Sequence, residues 1–197
     1  MIKNTKTLIT KAEHKNPLFN VYPYLLKDLE IVAANQAWMI DTTAIPMQKS
    51  FCLLNIVMDV ASRKILSWSI SPRASNSFAL RNLENALNHY PNPELINLPQ
   101  NLQYISIGII NLLNKNEIKI SVSPKTKCPD NVTTDRFWRS LKYEEVYLKA
   151  YQNVVEAEYS ISSYIKHYNQ HRQNSSIGEQ IPNNVYKQTR NFQKVAI

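Results

Sequence analysis

Asp135, Arg139 and Lys142 lie four and then three residues apart, and a 3.6-residue period stacks such positions on one side of a helix. An acid beside two cations suits a metal ion and a phosphate held together. A second acid, Asp41, sits inside the run Trp38-Met39-Ile40-Asp41-Thr42-Thr43, which is otherwise apolar or hydroxylic. A carboxylate there is costly unless it is paired, hydrogen-bonded or bound to a metal. The plainer alternative is a satisfied aspartate bonded to Thr42 or Thr43. Phosphoryl transfer with two metal ions needs carboxylates from separate elements converging on one point, so the elements that carry these acids decide the matter.

The stretch 129–145 is expected to be a helix. Pro129 supplies a break, Asp130 and Asn131 supply capping side chains, and Thr133, Thr134 and Asp135 sit near the positive terminus. Phe137, Trp138 and Leu141 fall on other faces and are read as anchors in a core. Upstream the pattern is β over 38–45, 51–59 and 64–70, with short polar links that imply an antiparallel meander. Asp59 is read as the cap of the tight 59–63 turn, a structural role. A helix over 75–90 follows, stopped by Pro91 and Pro93, then a strand over 95–98, a helix over 104–114 and a strand over 118–122. That order describes an α/β fold with a mixed sheet, three antiparallel strands and then alternating α and β elements, flanked by helices. A further helix over 154–168 is followed by a basic, polar tail. The domain expectation is therefore an N-terminal arm (1–34) left from an upstream region, a core (35–150), and a C-terminal helix with a basic tail (151–197).

Composition narrows the function classes. The chain has 197 residues and is 44% apolar, with 23 Lys and Arg against 15 Asp and Glu, a net charge of +8. One good core fits that length, and the excess charge favours a polyanionic partner such as nucleic acid. The basic residues are spread along the chain and not gathered beside an apolar anchor, so no membrane partner is expected. Only two glycines, Gly108 and Gly178, occur, which excludes a Walker A loop or a dinucleotide fingerprint. Turns are expected to rest on Asn, Ser, Asp and Pro. Cys52 and Cys128 form no CxxC pair and read as reduced packing residues, and the apparent lack of a leader or apolar span gives a cytoplasmic expectation. His167 and His171, four apart, lack a third ligand and read as polar surface.

Several separated blocks, in order, resemble one family. Asn35-Gln36-Ala37-Trp38-Met39-Ile40-Asp41-Thr42-Thr43, then MDVASRKILSW, CPDNVTTDRFWRSLKYEEVYLKAY and YIKHYNQHR are similar to the catalytic subunit of insertion-sequence transposases of the retroviral-integrase superfamily. The resemblance runs over about 35–186. It implies an RNase H-like fold, a DDE acid triad, Mg²⁺ or Mn²⁺ as cofactor, DNA as substrate, and a homo-oligomer when functional. It also implies end recognition supplied by an upstream helix-turn-helix protein.

Carried over residue by residue, the first acid is Asp41 and Asp135 stands in the glutamate position. The family's second acid falls in an Asn-Ser-Asp-Gln-Gly run, which here reads Asn97-Leu98-Pro99-Gln100-Asn101. Pro99 therefore takes the place of the second aspartate, and the family's spacing of thirty-five intervening residues to position 135 is kept. The metal set, Asp41 and Asp135, is one ligand and one charge short. The resemblance thus implies a transposase whose catalysis is impaired and whose metal binding is weak. The alternative is a DNA-binding relic, or a partner of intact transposases, that keeps the fold without chemistry. An RNase H-like nuclease acting on RNA–DNA hybrids fits the Trp138-Arg139-Ser140-Leu141-Lys142 block less well. Gln100, Arg139, Lys142 and Arg172 are the candidate DNA contacts.

Overall fold

The computed structural model describes residues 22–193 apart from 28, 74, 101–103 and 125–130. Its sheet grows from two long strands rich in β-branched and aliphatic residues, β1 (Ala37–Pro46) and β2 (Phe51–Asp59), which pair antiparallel with Asp41 opposite Ile56. Strand β3 (Ile65–Ser71) adds antiparallel to β2, with a register shift between Val57 and Met58. Helix α1 (Asn76–His89) then returns the chain so that β4 (Leu95–Leu98) runs parallel to β1. Helix α2 (Ile107–Lys115) repeats the move, and β5 (Lys119–Val122) lies parallel to β4. The order is β3-β2-β1-β4-β5, the mixed sheet expected from the alternation of elements.

Side chains of successive strand residues point to opposite faces, and that alternation divides the core. Trp38, Ile40, Val57, Ile96 and Leu98 pack with Ala79 and Leu83 of α1 and Ile109 and Leu113 of α2. On the other face Ile45, Leu54, Ile56 and Met58 meet helices α3 (Asn131–Glu144) and α4 (Val154–Gln170) through Phe137, Leu141, Ile161 and Tyr168. Each such fully buried aliphatic or aromatic side chain contributes about 1.5–3 kcal/mol. Cys52 is a buried free thiol in this second cluster, while Cys128 lies outside the described residues.

A polar seam crosses the α1 face. The Asn55 amide donates to Thr42 Oγ1 at 2.9 Å and to the Tyr104 hydroxyl at 3.1 Å. Asn82 of α1 donates to Asn55 Oδ1 at 2.6 Å and accepts from Ser67 Oγ at 2.6 Å. Thr42 and Tyr104 also bond each other. Asp59 ties the β2–β3 turn as expected: its Oδ1 accepts from the Ser62 N–H at 2.8 Å and its Oδ2 from the Asn35 N–H at 2.7 Å.

Two sequence expectations need correction. Helix α2 begins at Ile107 and not at 104, because Ser106 caps it by accepting from the Ile109 N–H, and Tyr104 turns inward to the seam. The stretch beyond α4 is more than a polar tail: a short 3₁₀ turn (Ser175–Ile177) leads to helix α5 (Pro182–Gln193). Tyr186 of α5 is buried beside Tyr90 and donates to Asn35 Oδ1 at 2.9 Å. The left-handed backbone positions outside glycine among the described residues are Asn35, Arg63, Glu117 and Glu179, of which only Asn35 is of a type favoured there. The expected break at Pro129 and cap at Asp130 lie outside the described residues, and Asn131 is the first residue of α3.

Candidate active-site cavity

Because Asp41 has odd parity along β1, its side chain projects to the α3 side of the sheet, opposite Thr42 and the seam. There it lines a 350 Å³ cavity with Pro99, Asp135 and Lys142. Asn97 and Ser123 close one wall from the ends of β4 and the segment after β5. Four positions singled out by spacing and resemblance thus converge at the carboxyl ends of the parallel strands.

The Asp41 carboxylate is already engaged on both oxygens. Oδ1 accepts from the Thr42 N–H at 2.7 Å and Oδ2 from the Trp138 indole N–H at 2.8 Å. Burial pushes its proton affinity above the ordinary carboxylate range, bonds from Trp138, Thr42 and Thr134 pull the other way, and the Asp135 charge adds to the rise. Hydrogen bonds to the charged form offset desolvation only in part. Asp135 itself is exposed.

Asn97 shares the face of Pro99, two residues on, yet its amide is committed elsewhere. Its nitrogen donates to Ser123 Oγ at 2.7 Å and its oxygen accepts from Ser121 Oγ at 2.8 Å. A neutral amide already bonded at both ends is a poor replacement for a carboxylate on a hard cation. Among the described residues no three His, Cys, Asp or Glu side chains group closely enough to hold a metal ion. A donor set of one doubly bonded carboxylate, one exposed carboxylate and a proline between them does not fit a two-metal centre.

The remaining candidates are dispersed. Gln100 follows Pro99 but is not among the residues that line the cavity. Arg139 faces a neighbouring cavity instead, with Arg136 and Arg172. Arg172 is clamped to Glu144, its Nε 3.1 Å from Oε2 and its Nη2 2.6 Å from Oε1, which holds the Glu144 carboxyl below its usual range. His167 and His171 stand exposed with ring centroids 5.8 Å apart. Sequence reasoning missed Trp138 as a donor to Asp41, having read it only as a core anchor; the core contact is present too, its ring 5.1 Å from that of Phe137.

Residues 32–128 and 116–182 each match an integrase core domain family. The transposase of insertion sequence element IS904 from Lactococcus lactis is 30% identical over 177 residues, 87% of this chain and 67% of that protein. The chain belongs to the integrase-core family of insertion-sequence transposases. The transposase InsF of insertion sequence IS3A from Escherichia coli K12 is 28% identical over 157 residues, 78% of this chain and 54% of that protein. The chain thus spans between about half and two thirds of the length of these relatives. Among solved structures, the HTLV-2 integrase catalytic core in complex with magnesium superposes with a TM-score of 0.64 at 16% identity, covering 80% of this chain and 99% of that one. The BIV integrase catalytic core gives 0.63 at 18% identity, covering 81% and 99%. These likenesses establish the RNase H-like fold. Among the described residues no helix is long and apolar enough to cross a membrane.

Proposed function

We propose that this transposase core binds DNA and has lost most or all of its capacity to transfer phosphodiesters. The observation that carries the reading is the cavity wall in which Pro99 accompanies Asp41 and Asp135. An imino acid offers no side-chain oxygen, so one ligand and one negative charge of three are gone. Shortening the third acid from Glu to Asp withdraws its carboxylate further from Mg²⁺, which tolerates little departure from octahedral geometry near 2.1 Å. The indole bond to Asp41 Oδ2 favours the same reading, since a donor occupies a lone pair that a cation would need. Losing a metal ligand removes on the order of several kcal/mol of transition-state stabilisation, a thousandfold or more in rate.

DNA affinity survives such losses because phosphate contacts need only cations and amides in place. Arg139, exposed and charged, and Lys142, half-buried at the wall of the acid cavity, are the contacts best supported; Gln100 and Arg172 are secondary, the latter because Glu144 already engages it. In this reading the chain comprises the arm, core and C-terminal segment outlined from sequence. It acts in the cytoplasm as a homo-oligomer, alone or beside intact transposases, with DNA-end recognition supplied by an upstream helix-turn-helix protein. A strand-transfer assay in Mg²⁺ and Mn²⁺, run beside a Pro99→Asp and Asp135→Glu double reversion, tests it. The unmodified chain is expected to be inert and to bind Mg²⁺ at millimolar affinity or weaker by calorimetry, and the reversion to bind more tightly. Turnover by the unmodified chain would refute the impairment.

A further inference from the structure

Beside the acid cavity lies a second one of 180 Å³, whose wall contains Arg63, Arg136, Arg139 and Arg172 and, among the described residues, no carboxylate. Three elements bring the arginines together: the β2–β3 turn, the exposed side of α3, and the segment after α4. Arg172 is neutralised by Glu144. Arg63 is not. It holds a left-handed backbone with φ 63°, and its Nη1 donates to Thr133 Oγ1 at 2.7 Å. Its Nε is buried with no partner. The nearby Asp59 carboxylate is spent on Asn35 and Ser62.

Arg136 and Arg139 form no ion pair among the described residues, and they are exposed toward solvent. Burial and the charge of Arg136 disfavour the Arg63 cation, while Tyr168 and the Asp59 charge favour it in part. Guanidinium groups do not shed their protons in proteins, so the unpartnered Arg63 Nε and the exposed Arg136 and Arg139 present N–H donors and positive charge to an incoming anion. Charge-assisted, multi-directional N–H donation, with the Thr133 hydroxyl on the same wall, matches the oxygens of a tetrahedral phosphate better than a flat carboxylate.

We propose that the cavity between Arg63, Arg136 and Arg139 is a binding site for a single phosphate group, distinct from the acid cavity of Asp41. The phosphate is either free, as inorganic phosphate or the end of a small phosphorylated molecule, or a diester of a nucleic-acid strand. The site does not depend on the catalytic reading above, since none of its residues is an acid of the triad positions.

Calorimetric titration of the full chain with sodium phosphate, against sodium chloride at matched ionic strength, is the test. Saturable binding of phosphate over chloride is expected, weakened at least tenfold by Arg136→Gln. Arg136 is exposed, so that variant should fold even if Arg63→Met does not. Lys119→Gln, at an exposed lysine of β5 outside both cavities, is expected to leave phosphate binding unchanged. A short DNA duplex that competes with phosphate identifies the strand diester as the source, and binding of both without competition identifies free phosphate. Equal behaviour of phosphate and chloride, or Arg136→Gln binding phosphate as the parent does, overturns the proposal.

Discussion

Replacing Trp138 by Phe removes the indole N–H that meets Asp41 Oδ2 at 2.8 Å while keeping an aromatic ring in the core. A hydrogen bond to a charged group contributes about 1.5–3 kcal/mol, and the smaller ring adds a pH-independent loss of about 1 kcal/mol. The two parts separate by pH. Because burial raises the folded-state pKa of Asp41 above its unfolded value of 3.8, protonation of this carboxyl favours the fold. That contribution is present below the unfolded value and is lost as pH rises through the folded one. Without the indole donor the folded value climbs further, so the variant goes on losing stability after the parent has stopped. Urea denaturation across pH 4–9 is therefore expected to show a deficit of about 1 kcal/mol at the acid end, widening to about 2.5–4 kcal/mol at the alkaline end. A deficit that stays flat across that range would refute the claim that Trp138 compensates the Asp41 charge, and with it part of the case against a metal there.

Glu117→Gly should stabilise the chain, since Glu117 is exposed and holds φ 57°. Relief of left-handed strain less the added chain entropy is worth about 0.5–1 kcal/mol, a rise of roughly 1–4 °C in Tm by calorimetry. Tyr186→Ala, by contrast, is expected to cost about 3–5 kcal/mol in chemical denaturation, because that ring is 3% exposed in the main cluster and its hydroxyl serves Asn35. A cost near zero would mean that α5 is dispensable to the core.

Strands were legible where composition repeats: β1 to β3 carry long runs of β-branched and aliphatic residues, and their observed limits fall within a residue or two of those expected. Helix α5 was not, because Pro182–Gln193 is mostly polar and joins the core through little more than Tyr186. The start of α2 was misplaced because Tyr104 and Ile105 are apolar for tertiary reasons and not for helical periodicity. In the cavity, Asp41, Pro99, Asp135 and Lys142 were found from spacing and resemblance, which encode their positions along the elements. The indole bond was invisible, since ninety-seven residues separate its partners and ring orientation is set by packing. The arginine cavity was equally hidden. Arg63 and Arg136 meet only once α3 docks under the β2–β3 turn, and left-handed backbone at an arginine has no reliable signature in a chain so poor in glycine.

The amide and hydroxyl seam from Thr42 through Asn55 and Asn82 to Ser67 acts as a key for strand alignment. Sliding β2 by one residue against β1 would turn Asn55 toward Phe137 and Leu141 and strand its amide in a greasy layer, so misaligned sheets are penalised heavily. The key projects to the reverse side from the Asp41 carboxylate and touches that residue at its backbone, where Asn55 donates to the Asp41 carbonyl at 3.0 Å. Strand alignment thereby uses no acid side chain, and substitutions such as proline at position 99 can accumulate while the architecture persists.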